Sequence, residues 1–299
     1  MHALNKPMRI IFNSGGVNCV GYLYLPANTT DKLPCVVMGT GFGGTQDTPS
    51  IISNAEKFTK AGFAALTFDY RSLGESEGQP RQVVSIKGQI EDFHAAISYI
   101  RNHEAIDPER IALWGSSLGG GHVITVAAED SQIAAVVSQI PFNGFPKNVE
   151  GRSSKDTRKV LAAMLKDMLR VFLGMTPYYI PAVGSVGELA VMASSQAQKT
   201  IDAMNSKYWR NEVAPRALFE MMKYKPSTNA SQIKKPVLVC IGEYDRETIG
   251  DLTMQILEKT PYGELKSYPV DHFDFYHPDI RKQIINDQID FLSKHLLNK

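Results

Sequence analysis

The chain has 299 residues, which is enough for one large domain, or for one domain with an insertion, to bury a sizeable core. Its 32 basic and 31 acidic residues are balanced and form no long run of one sign. This balance does not indicate the basic surface that binding to nucleic acid or to an anionic membrane requires, so we expect a small-molecule or protein partner.

Three cysteines, Cys19, Cys35 and Cys240, are widely spaced along the chain. Their odd number, and the position of two of them in apolar runs, favour buried thiols over a disulfide framework and indicate a reducing compartment. No segment approaches about 18 uninterrupted apolar residues, and the N-terminus has no apolar stretch of signal-peptide length. We therefore expect a soluble cytoplasmic protein that does not associate with a membrane.

Short apolar, β-branched runs alternate with segments of helical period along most of the chain. VNCVGYLYLP and the segment before it predict an antiparallel opening, and six later runs predict parallel strands: LPCVVMG, FAALTFDY, RIALWGS, IAAVVSQIP, KPVLVCIG and ELKSYPV. Other segments carry apolar residues at three- and four-residue spacing, as helices that cover a sheet do: IISNAEKFTKAG, VSIKGQIEDFHAAISYIRNH, TIGDLTMQILEKT and PDIRKQIINDQIDFLSKHLLNK. The alternation predicts an α/β fold with a mostly parallel, twisted sheet flanked by helices.

The alternation breaks after Pro141. The stretch that follows contains three helical patterns and no convincing strand: TRKVLAAMLKDMLRVFLG, VGELAVMASSQAQKTIDAMN and RALFEMMKY. We interpret residues 142–232 as a helical cap inserted between two parts of the α/β core, residues 1–141 and 233–299. The polar segments 147–156 and 225–235 are the predicted linkers into and out of the cap, although both could be ordinary surface loops.

A G-x-S-x-G sequence from Gly115 to Gly119 lies directly between a predicted strand and the helical run LGGGHVITVAAED. In this context the central residue, Ser117, lies on a sharp strand-to-helix turn that exposes its hydroxyl above the sheet. The helix N-terminus offers main-chain N–H groups to a developing oxyanion. Ser116 occupies the variable position and is expected to point away. The alternative is a glycine-rich turn of a nucleotide-binding or other α/β domain.

A serine nucleophile needs a base that accepts its proton and an acid that holds the base, and both follow Ser117 in the expected order. Asp245 comes just after a strand, at the edge where open parallel sheets carry functional side chains, and it could also cap the helix that follows. Glu243 is the competing acid. His272 follows the last predicted strand. The other histidines lie on helices, at termini or before a proline, and are weaker candidates: His2, His94, His103, His122, His277 and His295.

The loop at residues 39–44, GTGFGG, follows the strand LPCVVMG and is rich in glycine, so its backbone can approach a substrate closely. We assign the two oxyanion-hole donors to the main-chain N–H groups of Phe42 and Leu118. The loop lacks the G-x-G-x-x-G spacing of a dinucleotide site, and no metal-ligand cluster is visible, so we expect no cofactor and no metal.

These motifs resemble those of the α/β-hydrolase superfamily, and the resemblance covers essentially the whole chain: GSSLGG, GTGFGG, FDYRSLGESEG and the late Asp245 and His272. FDYRSLGESEGQPRQ and HFDFY resemble the branch that holds dienelactone-hydrolase-like and dipeptidyl-peptidase-like enzymes together with fungal polyketide transferases and related thiohydrolases. The resemblance implies the α/β-hydrolase fold and a loop-bracing role for Asp69. One residue departs from the pattern: Thr40 stands where many relatives have a histidine that braces the loop.

The predicted cap is rich in methionine and aromatic residues, which suit a pocket for apolar groups of variable shape. The candidate substrate-binding residues are Met168, Phe172, Tyr178 and Met221. These side chains could instead pack the cap helices together or form the face of a homodimer. The expected partner is a small-molecule acyl substrate.

The sequence thus predicts a serine hydrolase that acts on carboxylic esters or thioesters through an acyl-enzyme on Ser117, with His272 as base and Asp245 as its orienting acid. An acyltransferase that passes the acyl group to an alcohol shares this intermediate, and the sequence does not choose between the two. A peptidase is less favoured because no accessory domain gates peptides. A catalytically silent binding protein is disfavoured because Ser, Asp and His are all present.

Overall fold

The structure, a computed structural model, describes residues 5–27, 31–145, 153–248 and 250–297. Its strands, in chain order, are β1 Met8–Ser14, β2 Val17–Tyr24, β3 Leu33–Gly39, β4 Ala64–Phe68, β5 Ile106–Ser116, β6 Ala135–Gln139, β7 Val183–Gly184, β8 Met192–Ala193, β9 Val237–Gly242 and β10 Gly263–Tyr268. Its α-helices are α1 Pro49–Lys60, α2 Ile86–Arg101, α3 Leu118–Glu129, α4 Ser154–Phe172, α5 Ala197–Met204, α6 Ala217–Met221, α7 Gly250–Lys259 and α8 Pro278–Leu296.

Eight of the strands form one sheet in the order β1-β2-β4-β3-β5-β6-β9-β10. β2 pairs antiparallel with β1 and β4, whereas β3, β4, β5, β6, β9 and β10 run parallel to one another. The predicted antiparallel opening and the six predicted parallel strands are therefore confirmed. β3, β4 and β6 are buried along their whole length, as strands with helices on both faces must be.

Two hydrophobic clusters lie on opposite faces of the sheet. On one face, Phe93 of α2 and Val123 of α3 belong to a cluster with the side chains of the central strands. On the other face, Phe58 of α1 and Leu292 of α8 pack against the alternate side chains of the same strands. All three cysteines are free and buried, as predicted, and burial raises the pKa of the Cys240 thiol to about 12. Within the described ranges, no helix is long and apolar enough to span a membrane.

Between β6 and β9 the described chain forms α4, α5, α6 and a two-stranded parallel sheet of β7 and β8. The prediction of a helix over residues 186–205 is wrong in its first half, because α5 begins only at Ala197. Before it, Gly187 adopts φ +89° in a turn where the Glu188 carboxylate accepts a hydrogen bond from Ser185 N at 2.7 Å. The expectation that this region holds no strand is wrong for the same segment, which contains β8.

The two predicted linkers have different outcomes. Residues 147–152 of the first lie outside the described residues, and its remainder is the start of α4, capped by Ser153. The second contains two 3-10 helices, Pro226–Thr228 and Ala230–Gln232, with buried side chains, so it is an ordered part of the core. The division into a core and a cap over residues 142–232 stays a prediction.

Hydrogen bonds hold this inserted segment against the loops that surround the sheet edge. The Asp47 carboxylate accepts hydrogen bonds from Ser206 Oγ at 2.8 Å and Tyr208 N at 3.0 Å. The Glu220 carboxylate accepts one from Ile86 N, at the start of α2, at 2.7 Å. These contacts join the segment between β6 and β9 to the loops that follow β3 and β4.

Candidate active site

Ser117 lies in the one-residue turn between β5 and α3, with φ 57° and ψ −118°. This conformation is rare for a residue with a side chain and costs on the order of 1–3 kcal/mol. The turn is held by hydrogen bonds from Ser117 N to Gln139 O and from Phe142 N to Ser117 O, both 2.9 Å long. A Cβ atom on Gly115 would lie 2.1 Å from Gly119 O, so strand and helix approach too closely for any larger residue there.

The two adjacent serines point in different directions, as the sequence predicts. Ser117 is half-buried and lines a cavity. Ser116 is fully buried, and its Oγ accepts a hydrogen bond from Gln139 Nε2 at 3.0 Å and lies 3.0 Å from the Tyr276 hydroxyl. Ser116 is therefore a structural residue beneath the turn, and Ser117 is the serine available to a ligand.

The structure brings Asp245 and His272 together, although β10 and α7 separate them in the chain. Asp245 follows β9, and His272 opens the 3-10 helix His272–Tyr276 after β10. His272 Nδ1 lies 2.7 Å from Asp245 Oδ2, and both side chains are buried. The other carboxylate oxygen of Asp245 accepts hydrogen bonds from the backbone N–H groups of Glu247 and Thr248, each 2.8 Å long. These contacts hold the turn at residues 246–248, and since α7 begins only at Gly250, Asp245 braces a turn beside His272 and the predicted helix cap is wrong.

The two groups shift each other's pKa. Burial alone raises the pKa of the Asp245 carboxyl, but the charge of His272 and the hydrogen bonds from His272 and Thr248 outweigh it and hold that pKa below its ordinary value. Burial alone lowers the pKa of the His272 imidazole, whereas the Asp245 carboxylate raises it, and the net result lies above the ordinary 6.5. The carboxylate thus stabilises the protonated imidazole, which is what a base that accepts a proton from serine requires.

The competing residues lie elsewhere. Glu243 is exposed and accepts a hydrogen bond from Ser267 Oγ at the surface. His122 is fully buried between the Tyr224 hydroxyl and Gln89 Oε1, and burial lowers the pKa of its imidazole to about 3, so it stays neutral. His94 forms an exposed contact with Glu129.

The glycine-rich loop at residues 39–44 lies against the serine turn. A Cβ atom on Gly41 would lie 3.2 Å from the Cβ of Ser117. Thr40 Oγ1 donates to Gly44 O at 3.0 Å and braces the loop from inside. Phe42 and Leu118 line the same cavity as Ser117, and neither main-chain N–H donates a hydrogen bond to another residue in the described part of the chain.

Asp69 makes the bracing contacts that its motif implies. Its buried carboxylate accepts hydrogen bonds from Gln46 N at 2.8 Å and Glu75 N at 2.9 Å, which tie the segment after the glycine-rich loop to the turn after β4. Burial raises the pKa of this carboxyl to about 7. Asp69 is not among the residues that line the cavity at Ser117, and its contacts are those of a structural residue.

The main cavity has a volume of about 410 Å³ and opens directly beside Ser117. Its walls come from the serine turn, the inserted segment and the loops after β9 and β10. The apolar residues of its lining are Phe42, Leu118, Phe142, Phe145, Val186, Val191, Met192, Ala193, Met221, Tyr244 and Phe273. A volume of this size suits a small organic ligand with a substantial apolar part.

One of the four predicted substrate-binding residues, Met221, lines this cavity. Met168 and Phe172 do not: they are 46% and 86% exposed on the outer side of α4, whose inner side carries Val160 and Met164. Tyr178 packs instead beneath Lys166, whose Nζ lies 3.8 Å from the ring centroid. For Met168 and Phe172 the reason is that α4 has apolar residues on two sides, and periodicity does not tell which side faces a substrate. The substrate-binding role of these three residues stays a prediction.

Several other residues of the lining were not predicted. Val191 was not, because its segment has helical spacing, whereas it directly precedes β8; Met192, in β8, belongs to the methionine-rich set of the predicted cap but was not among the four candidates. Phe273 lies next to His272 in the chain, and this adjacency was a usable signal. Phe142 follows β6 at the active edge of the sheet, and its position after a parallel strand could have identified it.

A mostly parallel sheet that carries a serine on a strained strand-to-helix turn, with an acid and a histidine after later strands, defines an α/β hydrolase. The chain belongs to the α/β-hydrolase family whose model is described as "Serine aminopeptidase, S33" and matches residues 29–276. The resemblance noted from the sequence motifs is thereby confirmed.

Similar proteins carry several functional names. The chain is 38% identical over 291 residues to the quorum-quenching protein AidA of Acinetobacter baumannii (strain MDR-ZJ06), covering 96% of this chain and 95% of that protein. It is 29% identical over 216 residues to the polyketide transferase ATR5 of Stachybotrys chlorohalonatus (strain IBT 40285), covering 71% of this chain and 70% of that protein. It is 26% identical over 296 residues to the thiohydrolase apmlB of Arthrinium phaeospermum, covering 93% of this chain and 94% of that protein.

The crystal structure of the α/β hydrolase GrgF from Penicillium sp. sh18 superposes with a TM-score of 0.82 at 22% identity, covering 98% of this chain and all (100%) of that one. At this identity the likeness concerns the fold alone. It agrees with the predicted fold class, an α/β-hydrolase sheet flanked by helices.

Proposed function

We propose that the protein is a serine-dependent acyl hydrolase that acts on carboxylic esters or thioesters through an acyl-enzyme on Ser117. The observation that carries the proposal is that Ser117, on its strained turn, and His272, held by Asp245, both line a second, smaller cavity of about 30 Å³ beside the main one. A half-buried serine that lines both cavities, a buried imidazole and an ion-paired carboxylate together have the composition of a nucleophile, its base and the group that orients the base.

In the proposed reaction the Ser117 Oγ attacks the carbonyl carbon of the substrate while His272 Nε2 accepts the hydroxyl proton. The main-chain N–H groups of Phe42 and Leu118 donate to the oxyanion that develops on the carbonyl oxygen. The tetrahedral intermediate collapses, His272 gives its proton to the leaving alcohol or thiol, and the acyl group stays on Ser117. Asp245 keeps the imidazole in the orientation in which Nε2 faces the serine and stabilises the imidazolium.

The apolar side chains in the mixed lining of the main cavity support an acyl group with an apolar part. The relative named as a thiohydrolase supports thioesters as one substrate class. The relative named for quorum quenching supports the inclusion of small signal molecules that carry an ester or thioester bond. We also propose a cytoplasmic location, which the buried and unpaired cysteines support.

An acyltransferase is the second candidate, and the relative named as a polyketide transferase favours it. It shares every step up to the acyl-enzyme and differs only in the molecule that accepts the acyl group. Product analysis separates the two, because an alcohol acceptor yields a new ester whereas water yields a carboxylic acid.

The proposal is tested by measuring turnover of a panel of aryl esters and acyl thioesters of increasing chain length. We expect the wild type to release acid and Ser117→Ala to lose activity by at least about 10⁴-fold, because the nucleophile is gone. Wild-type activity in Ser117→Ala would overturn the proposal.

A further inference from the structure

The outer side of α4 carries a large exposed apolar surface. Eight of the seventeen large apolar side chains that are exposed in the described part of the chain lie on this helix or directly after it. They are between 46% and 86% exposed: Leu161, Leu165, Met168, Leu169, Val171, Phe172, Leu173 and Met175. With roughly 200 Å² on a side chain of this size, these fractions leave on the order of 800 Å² in water. The largest apolar patch on a typical monomer covers only about 300–600 Å².

Four of these side chains form a regular line along α4, which we call the outer stripe: Leu161, Leu165, Met168 and Phe172. They follow one another at intervals of four, three and four residues. This is the spacing with which a helix packs along another helix. The buried side of α4 already packs against its own chain through Val160 and Met164. The outer stripe therefore has the pattern of a helix–helix contact that a single chain leaves open.

The outer stripe is symmetric about its own midpoint, which lies between residues 166 and 167. A second, antiparallel α4 would place Leu161 opposite Phe172 of the copy and Leu165 opposite Met168 of the copy. A two-fold axis repeats both contacts, so each of the four side chains gains an apolar partner. A standard interface takes about 800 Å² from each partner, and the exposed apolar surface of α4 is of this order.

The charges of α4 are compatible with an antiparallel pair. The exposed cations Lys159 and Lys166 lie about 120–150° around the helix axis from the stripe, so pairing does not bring them together. Arg158 is exposed one turn before Leu161. In an antiparallel pair it would lie beside the C-terminal end of the copy's α4, where the last carbonyl groups carry partial negative charge. The pairing therefore adds an attraction at each end of the stripe.

We propose that the outer stripe is the centre of a homodimer interface, in which α4 packs antiparallel against α4 of a second copy of this chain. Met168 and Phe172 then contact the copy instead of a substrate. The interface leaves the main cavity open. Asp156, the residue of α4 that lines this cavity, lies about 140° around the helix axis from Leu161, on the other side of the helix.

The first test measures the mass in solution by sedimentation equilibrium. We expect wild type to have twice the 33.1 kDa of one chain. Leu165→Glu places a charge near the middle of both stripes and should raise the dimer dissociation constant at least about 30-fold, as loss of a central interface residue does.

Leu165 is 56% exposed in the single chain, so the variant should keep its fold, which circular dichroism checks. Ile11→Glu is the matched control. Ile11 is 53% exposed and lies in the edge strand β1, away from α4 in the chain, so its variant should leave the dimer intact.

The second test determines the direction of the two helices with a double variant, Leu161→Cys with Phe172→Cys. The two introduced thiols are about 16 Å apart along one helix, too far to bond within a chain, but they face each other between antiparallel copies. Mild oxidation should therefore yield a covalent dimer of the double variant and none of either single variant. The three native cysteines are buried and do not compete.

A wild-type mass of one chain, or a dimer that Leu165→Glu leaves unchanged, would overturn the interface. If Leu165→Glu does not fold, the wild-type mass and the cross-linking pattern still decide. Covalent dimers of the single variants would contradict the antiparallel arrangement. Cosedimentation of a monomeric wild type with vesicles of equal parts phosphatidylcholine and phosphatidylglycerol would assign the outer stripe to a lipid surface and overturn the proposal.

Discussion

At the scale of single residues, the site depends on the contrast between two adjacent serines. Ser117 is held at φ 57° by hydrogen bonds of its own N–H and C=O groups, and its hydroxyl faces the cavity. Ser116 adopts the extended conformation of β5 and places its hydroxyl among buried polar groups. Neighbouring residues of one type thus have opposite roles because the backbone reverses direction between them.

The pKa of His272 leads to a prediction for the pH dependence of the reaction. The base must be neutral to accept the serine proton, so kcat/KM should fall as the pH is lowered through the pKa of His272, which lies above 6.5. Asp245→Asn removes the carboxylate charge that raises this pKa and leaves burial, which lowers it. We expect the acidic limb of the kcat/KM profile to move to lower pH and the rate to fall by about 10⁴-fold.

Steady-state rates of wild type and Asp245→Asn between pH 5 and 9 check this prediction, with Glu243→Gln as the control. Glu243 is an exposed carboxylate in the same loop, and Glu243→Gln should leave the acidic limb of the kcat/KM profile at the wild-type pH. A limb that moves to higher pH in Asp245→Asn would contradict the role given to the Asp245 charge.

Residue-scale features differed in how far the sequence could predict them. Ser117, Asp245 and His272 could be predicted as a set because each follows a strand whose pattern is visible, and the structure does bring Asp245 and His272 into contact. Which residues of the insertion line the cavity could not be predicted, since the exposed and buried sides of α4 both carry apolar side chains. Which side contacts the substrate depends on where the insertion packs, and local sequence does not contain that information.

At the scale of elements, the close approach of α3 to the loop at residues 39–44 positions both predicted oxyanion donors. A Cβ atom on Gly119 would lie 2.4 Å from Thr40 O and 2.6 Å from Gly39 O, and both are backbone atoms that cannot move independently. The start of α3 and the glycine-rich loop are therefore in direct backbone contact. This contact fixes the distance between the N–H groups of Leu118 and Phe42.

Gly119→Ala should push the loop away from the helix. We expect it to lower the free energy of unfolding by about 2 kcal/mol, as overpacking of a tight site does, and to lower kcat more than it raises KM. Thermal unfolding and steady-state kinetics measure the two effects. Gly250→Ala is a matched control, because a Cβ there meets nothing within 4 Å. Equal unfolding temperatures and rates for the two variants would contradict the contact described here.

Helices with a clear apolar stripe were predictable from the sequence, and the segment before α5 was not. The pattern of residues 186–196 has helical spacing, but a turn at Gly187 and the pairing of β8 with β7 take its place. β7 and β8 are two residues long and lie close together in the chain. Such short strands leave too little periodicity to be recognised.

At the scale of the whole molecule, the parallel sheet explains why residues far apart in sequence share one site. β5, β6, β9 and β10 run in one direction, so their carboxyl ends meet at one edge, and Ser117, Phe142, Asp245 and His272 follow these four strands in turn. The alternation of strands and helices was visible along the chain, and the sheet followed from it. The position of the insertion relative to that edge could not be predicted from the sequence, because it depends on side-chain hydrogen bonds such as those of Asp47 and Glu220.

The central claim, that Ser117 is the nucleophile of this site, is tested most directly by covalent labelling. A fluorophosphonate reacts with an activated serine, and mass spectrometry of the digested protein locates the adduct. The account predicts a stoichiometric adduct on Ser117 in wild type, none in Ser117→Ala, and retained labelling of Ser117 in Ser116→Ala, whose lost hydroxyl lies beneath the turn. An adduct that persists in Ser117→Ala, or one located on Ser116 in wild type, would contradict it.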